Sequence, residues 1–167
     1  MTEDYLEYLA ARLRRVDDIE MGDAQPDSSS LLAEIDGGAA SVEVKRDLDP
    51  APAGDVNFVA NALSDMRRLV EALLRGEVLP ASELLRIEWR LAGAANGPWS
   101  AHLERDSVGG CDIIAVNDPH DPRDLYIYID GELAPTRLLL EVARARQDLP
   151  ALVQWARNLG NRRDPSL

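Results

Sequence analysis

A chain of 167 residues with a net charge of −12 and one cysteine is closed to several classes of protein. Thirty acidic against eighteen basic residues repel nucleic-acid backbones and anionic membrane surfaces, so no direct DNA or RNA binding and no membrane binding is expected. A lone Cys111 permits neither an internal disulfide nor a thiol-rich metal site.

The length fits one domain, and the 46% apolar content lies in the globular range. With aromatics at 5%, the core is expected to be aliphatic. The acidity is uneven. Residues 1–80 hold seventeen acids and eight bases (−9), and the remainder thirteen and ten (−3). No apolar run reaches membrane-spanning length, and the first residues, MTEDYLEY, are acidic where a secretion signal is basic. The expected location is cytoplasmic.

In chain order, Tyr5, Leu6, Leu9, Leu13 and Val16 recur at helical spacing and predict a helix over Thr2–Asp18. MGDAQPDSSS reads as loop. Leu31, Ala33 and Ile35 alternate with Leu32, Glu34 and Asp36, and Val42 and Val44 alternate with Ser41, Glu43 and Lys45. Gly37-Gly38 separates these runs, which is a hairpin signal because glycine accepts positive φ. DLDPAPAGD is a proline-rich connection. Val56, Val59, Leu63, Met66, Leu69, Val70 and Leu73 form one stripe, a helix from Asp55 to about Arg75 that Gly76 ends.

VLPAS links the halves, and Ser82 is placed to cap a helix running to about Ala94. Asn96-Gly97-Pro98 breaks that helix. Three strands follow. WSAHLERD carries Trp99, Ala101 and Leu103 on one side, CDIIAVND is apolar on both, and DLYIYIDG sets Leu125, Ile127 and Ile129 opposite Tyr126 and Tyr128. A last helix runs from Pro135 to about Leu159. Pro150 is expected to break or kink it after Gln147, with Asp148 capping the second part, and residues 161–167 are expected to fray.

The two long helices match each other. FVANALSDMRRLV slides onto EVARARQDLPALV with Val59 on Val142, Ala60 on Ala143, Ala62 on Ala145, Asp65 on Asp148, Leu69 on Leu152 and Val70 on Val153. Each half reads helix, hairpin or three-stranded meander, helix. The predicted architecture is therefore α+β, about four helices against a largely antiparallel sheet of about five strands. It would form one domain over residues 1–160 built of related halves, 1–78 and 79–160.

At Gly97-Pro98-Trp99 and at VARARQDLPALV, Val142 to Val153, the chain resembles a group of small uncharacterised proteins of actinobacteria and their phages. These carry a GPW after a first helix and an F-I-A-x-A-R-x-D-x-P-x-L-L helix at the end. The match covers about Ser82–Leu159. The first half lacks both the GPW and the proline. The resemblance implies a shared fold and no activity, cofactor or catalytic residue.

NDPHDPRD is the densest polar constellation, bringing Asp118, His120, Asp121 and Asp124 into one loop. Oxygen ligands with an imidazole suit a divalent cation or acid–base work. Two prolines make the same segment a sharply turned strand connection. It fits no EF-hand spacing and no H-E-x-x-H, and neither a phosphate loop, a dinucleotide fingerprint nor a nucleophile elbow is present. Cys111, before an apolar strand, reads as a small buried hydrophobe. Tyr126 and Tyr128 form an aromatic pair suited to partner contact if their sheet face is open, and core if it is covered. No catalytic set, cofactor or metal is assigned. The reading is a non-enzymatic protein that binds another, basic protein through an acidic and partly aromatic surface, as inhibitors, immunity factors and phage modulators do. The alternatives are a small metal-dependent enzyme or metal-binding protein using the Asp118–Asp124 loop, and a ligand-sensing module.

Overall fold

The computed structural model describes residues 2–22, 30–46, 49–104, 111–117 and 122–163. Helix α1 (Glu3–Leu13) ends in a 3-10 turn (Arg14–Val16), followed by strands β1 (Ile19–Met21), β2 (Ser30–Ile35), β3 (Gly38–Arg46) and β4 (Asp49–Pro50), then helix α2 (Ala53–Leu74). The second half repeats the order: α3 (Ala81–Gly93), β5 (Trp99–His102), β6 (Ile113–Val116), β7 (Leu125–Ile129), β8 (Glu132–Leu133) and α4 (Thr136–Arg163). The α+β class is as expected. The strands number eight among the described residues, with β1, β4 and β8 beyond the five anticipated.

All pairings are antiparallel and belong to one sheet ordered β1-β2-β3-β7-β6-β5, with β4 on β3 and β8 on β7. This order reads the same from either edge when each strand is exchanged for its counterpart. The register carries the relation to single residues. From β3 to the end of α2, residues correspond at a shift of 83 (Val59 to Val142), and Val44 pairs with its own counterpart, Ile127. Glu43 pairs with Tyr128, the counterpart of Lys45, and Lys45 with Tyr126, the counterpart of Glu43. A local two-fold axis therefore passes through the Val44–Ile127 pair. Ala51 donates its N–H to Val44 at 3.0 Å, and its counterpart Ala134 donates to Ile127 at 2.8 Å.

The first helices and first strands correspond at a shift of 78. Buried Leu6, Leu9 and Leu13 match buried Leu84, Ile87 and Leu91. Met21 opposite Ala33 matches Trp99 opposite Val116. The five-residue difference falls in the connection after the first strand of each half.

Alternation in the strands sorts the two sheet faces. Leu31, Val42, Val44, Ile114, Val116, Leu125 and Ile127 join the helix side chains in one core, whereas Leu32, Glu43 and Lys45 point to the other face. Helix α2 is central and packs on α1, α3 and α4. Its approach to α3 is very close at Gly54. A Cβ there would lie 1.9 Å from the Gly93 carbonyl oxygen, whereas a Cβ on Gly93 would meet Gly54 at an ordinary 3.7 Å. Gly54→Ala is therefore expected to destabilise by about 1–3 kcal/mol through forced separation of two backbones, despite alanine's better helix propensity. Gly93→Ala should be near neutral, and paired denaturant titrations check the asymmetry.

Three boundary expectations are corrected. Helix α4 runs unbroken through Pro150 to Arg163, beyond the expected end at Leu159; residues 164–167 of the expected tail lie outside the described residues. Pro150 lacks a donor and opposes helix continuation by about 3 kcal/mol. However, Leu138, Leu139, Val142 and Ala145 before it and Leu149, Leu152, Val153 and Ala156 after it are buried in the same core, which holds both segments on one axis. Ser82 lies inside the first turn of α3 behind Pro80 and makes no side-chain cap. Helix α1 stops at Leu13, with the 3-10 turn replacing its expected last turn.

Candidate functional site

The residues of the quoted motifs do different work from what spacing implied. Asp148 caps nothing. Its Oδ2 accepts from Arg12 Nη2 at 2.6 Å and its Oδ1 from the Tyr5 hydroxyl at 3.0 Å. Arg12 Nε also donates to Glu141 at 2.6 Å, with Arg12 and Glu141 both buried. The counterpart pair is present. Arg90, at a shift of 78 from Arg12, donates to both oxygens of Asp65, at 2.7 and 2.9 Å. Each half thus sends an arginine from its first helix to an aspartate on the last helix of the other half. Burial holds the Asp65 carboxyl above its ordinary range against the pull of Arg90.

Trp99 is fully buried, edge-on to Phe58 with ring centroids 5.1 Å apart, and its indole N–H donates to the Ala95 carbonyl at 3.2 Å. Gly97 precedes it with φ +123°, and a side chain there would collide with Asn117, which accounts for the glycine physically.

Of the polar-loop residues, Asp118, His120 and Asp121 lie outside the described residues. Asp124 is buried, and its Oδ1 accepts the Val116 N–H at 2.9 Å, tying the loop's end to β6. Among the described residues no group of three His, Cys, Asp or Glu side chains is arranged to hold a metal ion. Tyr126 and Tyr128 stand half-buried on the sheet face opposite the helices, where the Lys45 ammonium lies 5.3 Å from the Tyr128 ring centre. Cys111 is half-buried, and burial, followed by the carboxylates of Glu104 and Asp112, pushes its thiol above the ordinary range. That is the opposite of what a nucleophilic thiolate needs.

Helix α3 exposes two large apolar side chains. Leu85 and Trp89, one turn apart, are 57% and 69% exposed. Leu85 borders a groove of about 480 Å³ between the start of α3 and the end of α4, walled by Val78, Leu79, Leu84, Ala156 and Gly160. Arg157 also lines this groove and pairs with Glu88 at 2.5 Å. Beyond that ion pair lies a second recess of about 350 Å³, which includes Leu91, Arg146, Pro150 and Val153. The periodicity of α3 held the signal: Leu84, Ile87 and Leu91 satisfy the buried stripe, leaving Leu85 and Trp89 as large apolar residues off it.

No protein-family model, curated protein or solved structure matches the chain.

Proposed function

We propose that this is a non-enzymatic, cytoplasmic binding protein that engages another protein of basic character through α3 and the groove beside it. The supporting observation is the solvent-facing Leu85 at the rim of an apolar groove, with exposed Trp89 one turn further along α3. Tryptophan is enriched among the anchors of protein contacts, and an apolar groove edged by exposed large side chains suits such a contact. The net charge of −12 favours a basic partner and speeds its encounter in a salt-dependent way. An inhibitor, immunity factor or phage–host modulator has this profile, in keeping with the resemblance through GPW and the terminal helix.

The test compares affinity capture by the native chain and by Leu85→Asp/Trp89→Ala at low and high salt. The expected result is a stoichiometric partner weakened by salt and lost by at least tenfold in the variant. Both positions are exposed, so unfolding stability should stay within about 0.5 kcal/mol. Equal capture by a folded variant, or no partner at any salt, would remove the proposal.

A further inference from the structure

Arg146 is the one polar residue of the terminal motif without a hydrogen bond or ion pair among the described residues. Its Nε is buried without a hydrogen-bond partner, and no ion pair is formed by its guanidinium among the described residues. The guanidinium carbon lies 5.8 Å from the Phe58 ring centre. Burial lowers its pKa, with the Asp55 carboxylate acting in the other direction. Arginine stays charged in any folded protein, so this is a positive charge partly withdrawn from water with no carboxylate in direct contact among the described residues. Such groups are costly and rare without a reason.

The first half carries a comparable recess of about 400 Å³ lined by Leu63, Arg67, Arg68 and Glu71, so the halves differ in the side chains that line it. The counterpart of Arg146 is Leu63, fully in the core, and the counterpart of Pro150 is Arg67. Arg67 reaches across to the Val16 carbonyl at 2.6 Å and, more weakly, that of Ile19. In the second half proline cannot make that reach, and the cation stands one turn earlier, facing the recess of about 350 Å³. Leu91, Val153 and Pro150 give this recess apolar walls, Asn96 brings an amide to its rim, and Glu88 adds a carboxylate.

We propose that this recess binds a monocarboxylate with a short branched apolar body, its carboxylate accepting from Arg146 and its body lying on Leu91 and Val153. A dianionic phosphate is disfavoured, because among the described residues Arg146 is the only cation lining the recess and both Glu88 and the net charge of −12 oppose a second negative charge. The carboxylate belongs either to a free small acid or to a peptide C-terminus. The recess adjoins the proposed partner groove, from which the Glu88–Arg157 ion pair separates it.

The test is an amide-shift titration of the whole chain with isovalerate, with N-acetyl-leucine as a model of a peptide terminus, and with inorganic phosphate. Saturable shifts at Leu91, Ala92, Asn96 and Val153 are expected for the carboxylates, at least tenfold weaker in Arg146→Met and unchanged in the exposed control Arg162→Met. Tighter binding of N-acetyl-leucine assigns a peptide terminus, and tighter isovalerate a free acid. Arg146→Met should also keep or raise Tm, since it removes a charge with no carboxylate in direct contact; a structural arginine would lower it. No saturation with either carboxylate, equal affinity in Arg146→Met, or phosphate binding more tightly than both would overturn the proposal.

Discussion

Trp99→Ala is expected to destabilise the protein by about 3–5 kcal/mol, the range for removing a large aromatic side chain from a closed core. The indole is fully buried and meets Phe58 edge-on, so truncation leaves a void lined by β5, α2 and α4 that backbone elements cannot collapse to fill. It also strands the Ala95 carbonyl, which the indole N–H satisfies. A second hydrogen bond, from the Gln147 side-chain amide at 2.7 Å, is accepted by the Trp99 backbone carbonyl and should survive. The midpoint of urea unfolding should fall with little change in slope. Trp99→Phe, which keeps the stacking surface and loses the donor, should recover more than half of the loss. A loss under about 1 kcal/mol for alanine would mean that the GPW segment is not a core element.

Arg12→Met is expected to cost about 3–5 kcal/mol, the usual effect of removing one partner from a buried ion pair. Arg12 is 6% exposed and Glu141 4% exposed, and Asp148 at 16% is little better hydrated. Without the guanidinium, Glu141 keeps only the half-exposed Arg144 at 3.0 Å, and Asp148 keeps only the Tyr5 hydroxyl. The penalty therefore comes from uncompensated carboxylates more than from a lost attraction. Arg12→Met combined with Glu141→Gln and Asp148→Asn should accordingly be more stable than Arg12→Met alone. Arg90→Met, which strands a single carboxylate, should lose less. These are chemical-denaturation measurements, and a triple variant weaker than the single one would contradict this energetic account.

The fold was largely legible because its signals are periodic. The alternation of Leu31–Ile35 and Val42–Lys45, the stripe from Val56 to Leu73 and the helix match from Val59 to Val153 all survive as stated. The missed strands are two or three residues long; Ile19-Glu20-Met21 is too short to show alternation, and Asp49-Pro50 reads as turn. Pro150 misled because a local steric rule competes with buried side chains contributed by distant elements, and only the assembled core shows which prevails.

Function was less legible for a similar reason. Asp148 looks like a cap until Arg12, 136 residues away, is brought to it. Arg146 looks like any surface arginine until the recess around it is seen. The Leu85–Trp89 pair is readable in principle, as apolar residues off the buried face of α3, whereas the polar loop is the denser chemical signal in the sequence. The repeat shows how the halves differ. The counterpart positions Leu63 and Arg67 line a recess in the first half as well, but there the cation is held by the Val16 and Ile19 carbonyls.

Hydrogen exchange of the chain alone and with its captured partner tests the account most directly. Slowed exchange over residues 78–89 and 156–161, with 125–129 unchanged, is the result expected if α3 and its groove form the contact. Slowing confined to 125–129, on the face of Tyr126 and Tyr128, would contradict it and move the binding surface to the open side of the sheet.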